Sequence, residues 1–288
     1  MRSSFSLLLM CGALVASIAC APADPPPAQE TAVAGPCDGL NTLTDAERSD
    51  GWQLLFDGSS LNGWHGYNGQ STESWGIEDC SIKSAGTDDN YGSDMRSDIT
   101  TDGEFTNFEL SFDWKASTGG NSGLIYAVVE DPKYKAAYMT GPEYQLLDDV
   151  GFPTELKAAQ YAASDYDMLA ASSDKVLKPV GEWNTTKLVV NGAQVEHWLN
   201  GGKVLEFERW SDEWKATRDG SKWKDHKDYG LAETGRIAIQ DHGSEFWFRN
   251  IKLRPIHDDD DDDENGDHEE DVDDGEHTDS DEDNEADQ

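Results

Sequence analysis

Over residues 108–115 an apolar side chain stands at every second position: Phe108, Leu110, Phe112 and Trp114 alternate with Glu109, Ser111, Asp113 and Lys115. A period of two belongs to an extended strand with one face in a core and the other in water. Shorter strand signals recur at 75–78, 80–83, 123–129, 143–147, 184–190, 193–199, 235–242 and 245–253. Turn formers separate them, among them Asp57-Gly58, Asn191-Gly192 and Asn200-Gly201-Gly202. Neighbouring segments predict hairpins: 75–78 with 80–83, 108–115 with 123–129, 184–190 with 193–199 through a type I′ turn at Asn191-Gly192, and 235–242 with 245–253. Helix is scarce. Thr44 and Glu47 fit a capping box for a short helix within 41–50, and a helical turn is expected near 156–163 inside an irregular stretch. Residues 208–231, rich in Trp and charge, read as an insertion over one rim of the sheets. The expected fold is all-β, an antiparallel β-sandwich of jelly-roll type.

The two ends of the 288-residue chain fall outside that domain. Arg2 and the apolar or small run from Phe5 to Ala19 have the layout of an export signal, and about fifteen residues fall short of the twenty a membrane span needs. Its end, Ser17-Ile18-Ala19-Cys20, resembles the lipobox of bacterial lipoproteins, with Ser17 where Leu is usual. That resemblance implies lipidation of Cys20 and, with no acidic residue directly after it, an outer-membrane location. A plain cleavage site would leave the chain periplasmic or extracellular. Residues 21–36 form a Pro/Ala-rich tether, and residues 257–288 carry 20 of the 59 acidic side chains and no Lys or Arg, a composition that stays solvated.

The domain proper therefore spans 37–256, enough for one sandwich with a full core. Without the tail, 39 acids still face 22 bases, which argues against a nucleic-acid-binding surface and leaves the lipid anchor as the expected membrane contact. In the tail, Asp261-x-Asp263-x-Asn265-Gly266 copies the first half of a calcium loop. Val272 stands where its glutamate belongs, so loose cation binding is the most it predicts. Cys37 and Cys80, the two cysteines beyond the signal, are expected to pair in an oxidising compartment.

Chemistry-bearing side chains sit on the strand signals. After Gly141-Pro142, Glu143, Gln145 and Leu147 share one face and Tyr144 and Leu146 the other, with Asp148 and Asp149 at the end. Gln240 and His242 share a face, and Gly243 makes a turn that can expose the histidine. Asn121 opens one strand, His197 stands within another, and Arg249 lies late in the last. A glycosidase working through two carboxylates needs an acidic doublet, but Gln145 occupies the position where the second acid would stand. Glu143 with Asp148 is the remaining pair. No Gly-x-Ser-x-Gly elbow, Walker loop, His-Glu-x-x-His or Cys-x-x-Cys occurs.

Eight ordered blocks carry a resemblance: Gly51-Trp52-Gln53-Leu54-Leu55-Phe56-Asp57-Gly58, Leu61-Asn62-Gly63-Trp64, Gly120-Asn121-Ser122-Gly123, Gly141-Pro142-Glu143-Tyr144-Gln145-Leu146-Leu147-Asp148, Gly181-Glu182-Trp183-Asn184, Glu196-His197-Trp198-Leu199-Asn200-Gly201, Ile239-Gln240-Asp241-His242-Gly243 and Phe248-Arg249-Asn250-Ile251. Over roughly residues 50–256 they resemble the bacterial 3-keto-disaccharide hydrolase family, also described as 3-keto-glucoside lyase and 2-hydroxyglucal hydratase. The resemblance implies a concanavalin A-like jelly roll and an extracytoplasmic role in carbohydrate degradation. It also implies an oligosaccharide or glycoside substrate, with a separate sugar 3-oxidoreductase acting upstream.

That chemistry needs no acid pair. A ketone at C3 acidifies the C2 hydrogen, so a base removes it, the C1 substituent leaves, and water adds back. The site needs one base of moderate pKa, an enolate stabiliser and an acid for the leaving oxygen. On the matching positions His242 is the expected base and Glu143 the acid or second base. Asn121, Gln145, Gln240 and Arg249 would hold hydroxyls or the enolate oxygen, Asp148 would orient a partner, and His197 is a further substrate contact. The reading fixes no cofactor; a divalent metal held by some of Glu143, Asp148 and His242 would suit the same ketone. Two other readings stay open on the residues: an ordinary two-carboxylate glycosidase, and a non-catalytic carbohydrate-binding module that exposes one or two of the ten tryptophans as a platform.

Overall fold

The computed structural model describes residues 37–86 and 96–257. The export signal with Cys20, the tether, and the acidic tail after His257 with its partial calcium loop lie outside the described residues. The chain runs through α1 (Asp45–Ser49), β1 (Gln53–Leu54), β2 (Trp64–Gly66), β3 (Trp75–Glu78), β4 (Ser81–Ala85), β5 (Ile99–Thr101), β6 (Phe108–Ala116), β7 (Asn121–Val128) and β8 (Glu143–Leu147). It continues with β9 (Asn184–Asn191), β10 (Gln194–Leu199), β11 (Gly202–Glu208), α2 (Asp212–Gly220), β12 (Arg236–Ile239) and β13 (Glu245–Pro255). The strands form two antiparallel sheets, as a β-sandwich requires. The larger has the order β11-β10-β9-β6-β13-β4-β3, with β1 paired to β13; the smaller has β2-β5-β12-β7-β8.

Local signals explain several elements. Thr44 Oγ1 accepts from the Glu47 N–H at 3.2 Å and Glu47 Oε2 accepts from the Thr44 N–H at 2.8 Å, closing the capping box that starts α1. Between β10 and β11, Asn200 and Gly201 both take left-handed φ, 48° and 87°, as a type I′ turn needs. The β9–β10 turn sits one residue later than the Asn-Gly signal placed it: Asn191 pairs with Gln194, so Gly192 and Ala193 form the loop.

Two pairings differ from the hairpin expectation. β6 lies between β9 and β13, and β7 belongs to the other sheet; β12 and β13 are likewise in different sheets. Consecutive strands usually stay together, but residues 117–120 and 240–244 turn corners of the sandwich, and the chain changes sheet at each. The corners are tied to each other. Ser117 N–H donates to the Glu245 carbonyl at 3.1 Å, and Asn121 N–H donates to Ser244 Oγ at 3.1 Å.

Between the sheets Phe108, Leu110, Phe112, Trp114, Phe246 and Phe248 meet Leu124, Tyr126, Tyr144, Leu146 and Ile239, all buried, each large side chain contributing about 1.5–3 kcal/mol of transfer free energy. A buried relay fixes β8 against the large sheet. Trp114 Nε1 donates to Thr186 Oγ1 at 3.0 Å, Thr186 Oγ1 donates to the Tyr144 hydroxyl at 3.1 Å, and that hydroxyl donates to the Trp198 carbonyl at 3.1 Å. The outer edge of β8 is covered by residues 163–166, through Ala163 N–H to the Gln145 carbonyl (2.8 Å) and Tyr166 N–H to the Glu143 carbonyl (2.9 Å). A 3-10 turn at Ala158–Gln160 precedes that cover.

The insertion at 208–231 folds as α2 and a 3-10 turn at Lys222–Asp225. It stacks Trp223 on Tyr229 at 4.2 Å and Trp214 on Tyr229 at 6.2 Å beside the same edge. Far from there, a disulfide joins Cys37 to Cys80 across a Cα–Cα distance of 5.6 Å and a sequence separation of 43.

Candidate active site

Register decides which side chains meet on the outer face of the small sheet. Ile125 lies opposite Glu143, Gly123 opposite Gln145 and Asn121 opposite Leu147. Beyond the end of β12, Gln240 N–H donates to the Gly123 carbonyl at 2.9 Å, and Ser122 Oγ donates back to the Gln240 carbonyl at 2.8 Å. The corner at 240–244 thus carries Gln240 and His242 past the start of β7. Asn121, Glu143, Gln145, Gln240 and His242 line one chamber of about 130 Å³. Gly123 is required beneath it, because a Cβ there would overlap the Glu143 carboxyl oxygen.

A second chamber of about 200 Å³ shares Tyr138, Gln240 and His242 with the first and continues toward Arg96, Asp98 and Lys135. Together they form a groove in two compartments.

The groups in the inner chamber are left unpaired in a specific way. Glu143 is 3% exposed and has no hydrogen-bond or ion-pair partner among the described residues. Burial raises its pKa to about 8, outweighing the opposing pull of Lys222. His242 sits at the exposed mouth, where the protein packed around its ring, with Arg96 as a like charge, pushes its pKa below the usual imidazole value. A carboxyl that keeps its proton near pH 7 and an imidazole that stays neutral are an acid and a base facing one cavity. Gln145 Nε2 donates to the Gln160 carbonyl at 3.2 Å, which leaves its Oε1 buried and unpaired; Asn121 Oδ1 is buried and unpaired too. Two acceptors without donors suit a ligand rich in hydroxyls.

Three sequence-predicted residues do not join this group. His197 is fully buried in the core, 4.6 Å from the Tyr144 ring and 5.7 Å from Phe207, with Nδ1–H donating to the Ala163 carbonyl at 2.9 Å. Burial holds its pKa down to about 4. It shares the inward face of β10 with Val195 and Leu199, so polarity on a strand did not mean access. Asp148 turns away between its own loop and the 117–120 corner, where it accepts from the N–H groups of Gly151 (3.0 Å) and Gly119 (2.8 Å). Arg249 lies on the outer face of the large sheet, over the Trp183 ring at 3.9 Å and beside Asp113 at 3.6 Å.

With Asp148 elsewhere, the Glu143–Asp148 carboxylate pair does not assemble, and of the three metal ligands considered only Glu143 and His242 line the chamber. Among the described residues no group of three His, Cys, Asp or Glu is placed to hold a metal ion. The larger cavity beside Asp148, about 560 Å³, contains a closed ion pair, Lys175 to Asp149 at 3.0 Å, and offers no free acid–base couple.

Four residues complete the inner chamber that sequence reasoning did not single out: Tyr138, Tyr166, Lys222 and Trp223. The Lys222-Trp223-Lys224 run inside the Trp-rich insertion was the available signal, an aromatic flanked by cations. As for the ten tryptophans, Trp64, Trp75, Trp114, Trp214 and Trp223 are buried, and the other five are half-buried.

Residues 51–254 match the family model described as the 3-keto-alpha-glucoside-1,2-lyase-like domain. The chain is 35% identical over 243 residues to the 3-keto-disaccharide hydrolase of Bacteroides thetaiotaomicron, covering 76% of this chain and 82% of that protein. It is similar to the crystal structure of a candidate glycosyl hydrolase from Parabacteroides distasonis, with 39% identity, a TM-score of 0.70, and coverage of 76% of this chain and all of that one. A second candidate glycosyl hydrolase from the same species matches at 26% identity and a TM-score of 0.54, over 71% of this chain and 99% of the other.

Proposed function

Because this chain belongs to the 3-keto-alpha-glucoside-1,2-lyase-like family of glycoside-cleaving enzymes, we propose that it cleaves 3-keto-glucosides and 3-keto-disaccharides by β-elimination followed by hydration. His242 takes the C2 proton. The C1–O bond then breaks, and Glu143 gives its proton to the departing oxygen. In the second half Glu143, now a carboxylate, takes a proton from water as it adds to C1, and the imidazolium of His242 returns a proton to C2. The sum is hydrolysis without a glycosyl cation. Asn121 Oδ1 and Gln145 Oε1 accept from substrate hydroxyls, and Gln240 spans the two chambers.

The observation that carries this reading is the pairing of an unpartnered, proton-holding Glu143 with a neutral His242 around one small chamber, with no second carboxyl among its lining residues. A two-carboxylate glycosidase would need that second group. A binding module would offer an exposed indole, whereas here Tyr138, 38% exposed, is the aromatic at the mouth. Export, anchoring through Cys20 and a sugar 3-oxidoreductase upstream belong to the same proposal, since a 3-keto substrate has to be made by oxidation.

The test uses the purified protein with a 3-keto-disaccharide and with the parent disaccharide in D2O. Cleavage of the keto compound, with deuterium at C2, is expected. Cleavage of the parent sugar, or of the keto sugar without deuterium at C2, would sink elimination and revive direct glycoside hydrolysis.

A further inference from the structure

Resting on that reading, we propose that Lys222 is a catalytic residue of this site, its ammonium stabilising the oxygen at C3 as it becomes an enolate. When His242 removes the C2 hydrogen as a proton, the electron pair left behind forms C2=C3 and the carbonyl π pair moves to oxygen. When that pair returns, C3=O re-forms, C1=C2 forms, and the C1–O bond breaks with the Glu143 proton on the leaving oxygen. Between the two events one full negative charge rests on the C3 oxygen. The imidazolium formed on His242 faces C2, the Glu143 carboxyl is neutral, and the amides of Asn121, Gln145 and Gln240 carry no charge, so the C3 oxygen still needs a cation of its own.

Arg249, the cation the sequence suggested, is on the far sheet. Among the residues lining the inner chamber, Lys222 is the cation. Its placement is built rather than incidental. Nζ lies 4.1 Å from the Tyr166 ring centroid and 4.2 Å from that of Trp223, both chamber walls. Trp223 is 1% exposed, donates from Nε1 to the Tyr166 carbonyl at 3.1 Å, and follows Lys222 in a 3-10 turn whose cap, Ser221 Oγ, accepts from the Trp223 N–H at 3.1 Å. The backbone beneath Lys222 is thus fixed, while its stem lets the ammonium reach the chamber.

The half-buried lysines Lys83 and Lys175 are neutralised: Lys83 lies 3.0 Å from both Glu78 and Glu245, and Lys175 lies 3.0 Å from Asp149. Lys222 has no carboxylate within ion-pair distance among the described residues. Its nearest acid in the chamber, Glu143, keeps its proton near neutrality. The aromatic faces hold a cation without cancelling its charge. Such an ammonium interacts weakly with a ground-state ketone and strongly with an enolate, which is the differential interaction that accelerates a step.

The experiment compares wild type, Lys222→Met and Lys222→Arg on a 3-keto-disaccharide in D2O, following product release and C2 deuteration by NMR. Lys222→Met is expected to lower kcat roughly 10²–10³-fold, the scale for loss of one oxyanion donor. C2 exchange should fall by the same factor, KM should change by less than about threefold, and Lys222→Arg should recover at least about tenfold of the loss. Lys222 is exposed, so its variants are expected to keep the wild-type melting temperature. If wild type turns over with C2 deuteration and Lys222→Met keeps kcat within about threefold, or loses efficiency through KM only, the proposal is overturned while the parent reading stands. An inert wild type would overturn the parent reading and this proposal with it.

Discussion

On the outer face of the large sheet, Glu109 accepts from Arg254 at 2.6 Å with Lys187 3.9 Å away, and Asp113 accepts from Thr185 and Asn250, each at 2.7 Å. On the outer face of the small sheet, Glu143 has no such partner and is almost out of water. All three are acids at alternate positions of a strand, so their sequence contexts look alike. The covering differs. The large sheet presents its acids to solvent and to neighbouring Lys and Arg, whereas residues 138, 166, 222 and 223 roof the small sheet over Glu143. An ion pair on an open face contributes little; an unpaired carboxyl under a roof is held in its protonated form and marks a working site.

The largest expected effect separates these two kinds of acid. Glu143→Gln and His242→Ala should each lower kcat/KM on a 3-keto-disaccharide by roughly 10²–10⁴-fold, the usual reach of general acid–base catalysis, while Glu109→Gln and Asp113→Asn stay within about twofold. The two site variants should also differ from each other. With the base intact and the acid gone, Glu143→Gln should still exchange C2 hydrogen for deuterium without releasing product, and His242→Ala should do neither. Comparable losses from Glu109→Gln would break the contrast between the sheets.

How far the sequence disclosed this arrangement follows the same divide. The large sheet has one wet face, so β6 shows alternation in its residues and in its burial. Every residue of β7 and of β8 is buried, because both faces of those strands are covered, and alternation there says little about which side faces a ligand. Glu143 and Gln145 could be placed on one face by period alone, and Gln240 with His242 likewise. That the two pairs share a chamber depends on the sheet-changing corners at 117–120 and 240–244, which short-range pattern cannot supply. His197 and Arg249 show the converse: their strands were identified, but which face met the core and which sheet they joined were long-range facts. Lys222 and Trp223 come from an insertion whose packing beside β8 is set by tertiary contacts with Tyr138 and Tyr166.

A smaller effect sharpens the comparison through pH. The folded pKa of Glu143, about 8, lies above its ordinary value. Its contribution to stability is therefore fully present below the ordinary carboxylate range and is lost as pH rises through about 8. Glu143→Gln removes that loss, so its melting temperature should gain on that of wild type as pH rises from about 5 to about 8, and keep that gain above it. Asp165, raised to about 8 by burial, and Asp98, raised to about 7, lose stability over the same span in both proteins. The difference between wild type and Glu143→Gln isolates the one residue. Activity should fall on the alkaline side as Glu143 loses its proton, and on the acid side below the ordinary imidazole value as His242 gains one. Wild type and Glu143→Gln melting in parallel across pH 5 to 9 would mean that Glu143 ionises in the folded protein as it does in the unfolded chain.

The smallest expected effect concerns Arg249, which sequence context placed among the substrate contacts. Its guanidinium lies over Trp183 and beside Asp113, on the face turned away from the groove. Arg249→Gln should leave KM and kcat within about twofold and lower stability by about 0.5–2 kcal/mol, the scale of one partly desolvated cation–π contact. Gln240→Ala provides the matched measurement on the other sheet. Its side chain lines both chambers, and losing one neutral hydrogen bond of about 0.5–1.5 kcal/mol to substrate should raise KM by up to roughly tenfold. Two polar residues on neighbouring segments of the sequence would then differ by function according to the sheet each belongs to. A KM increase from Arg249→Gln as large as that from Gln240→Ala would place substrate on the large sheet as well, and would require a binding surface that the groove does not contain.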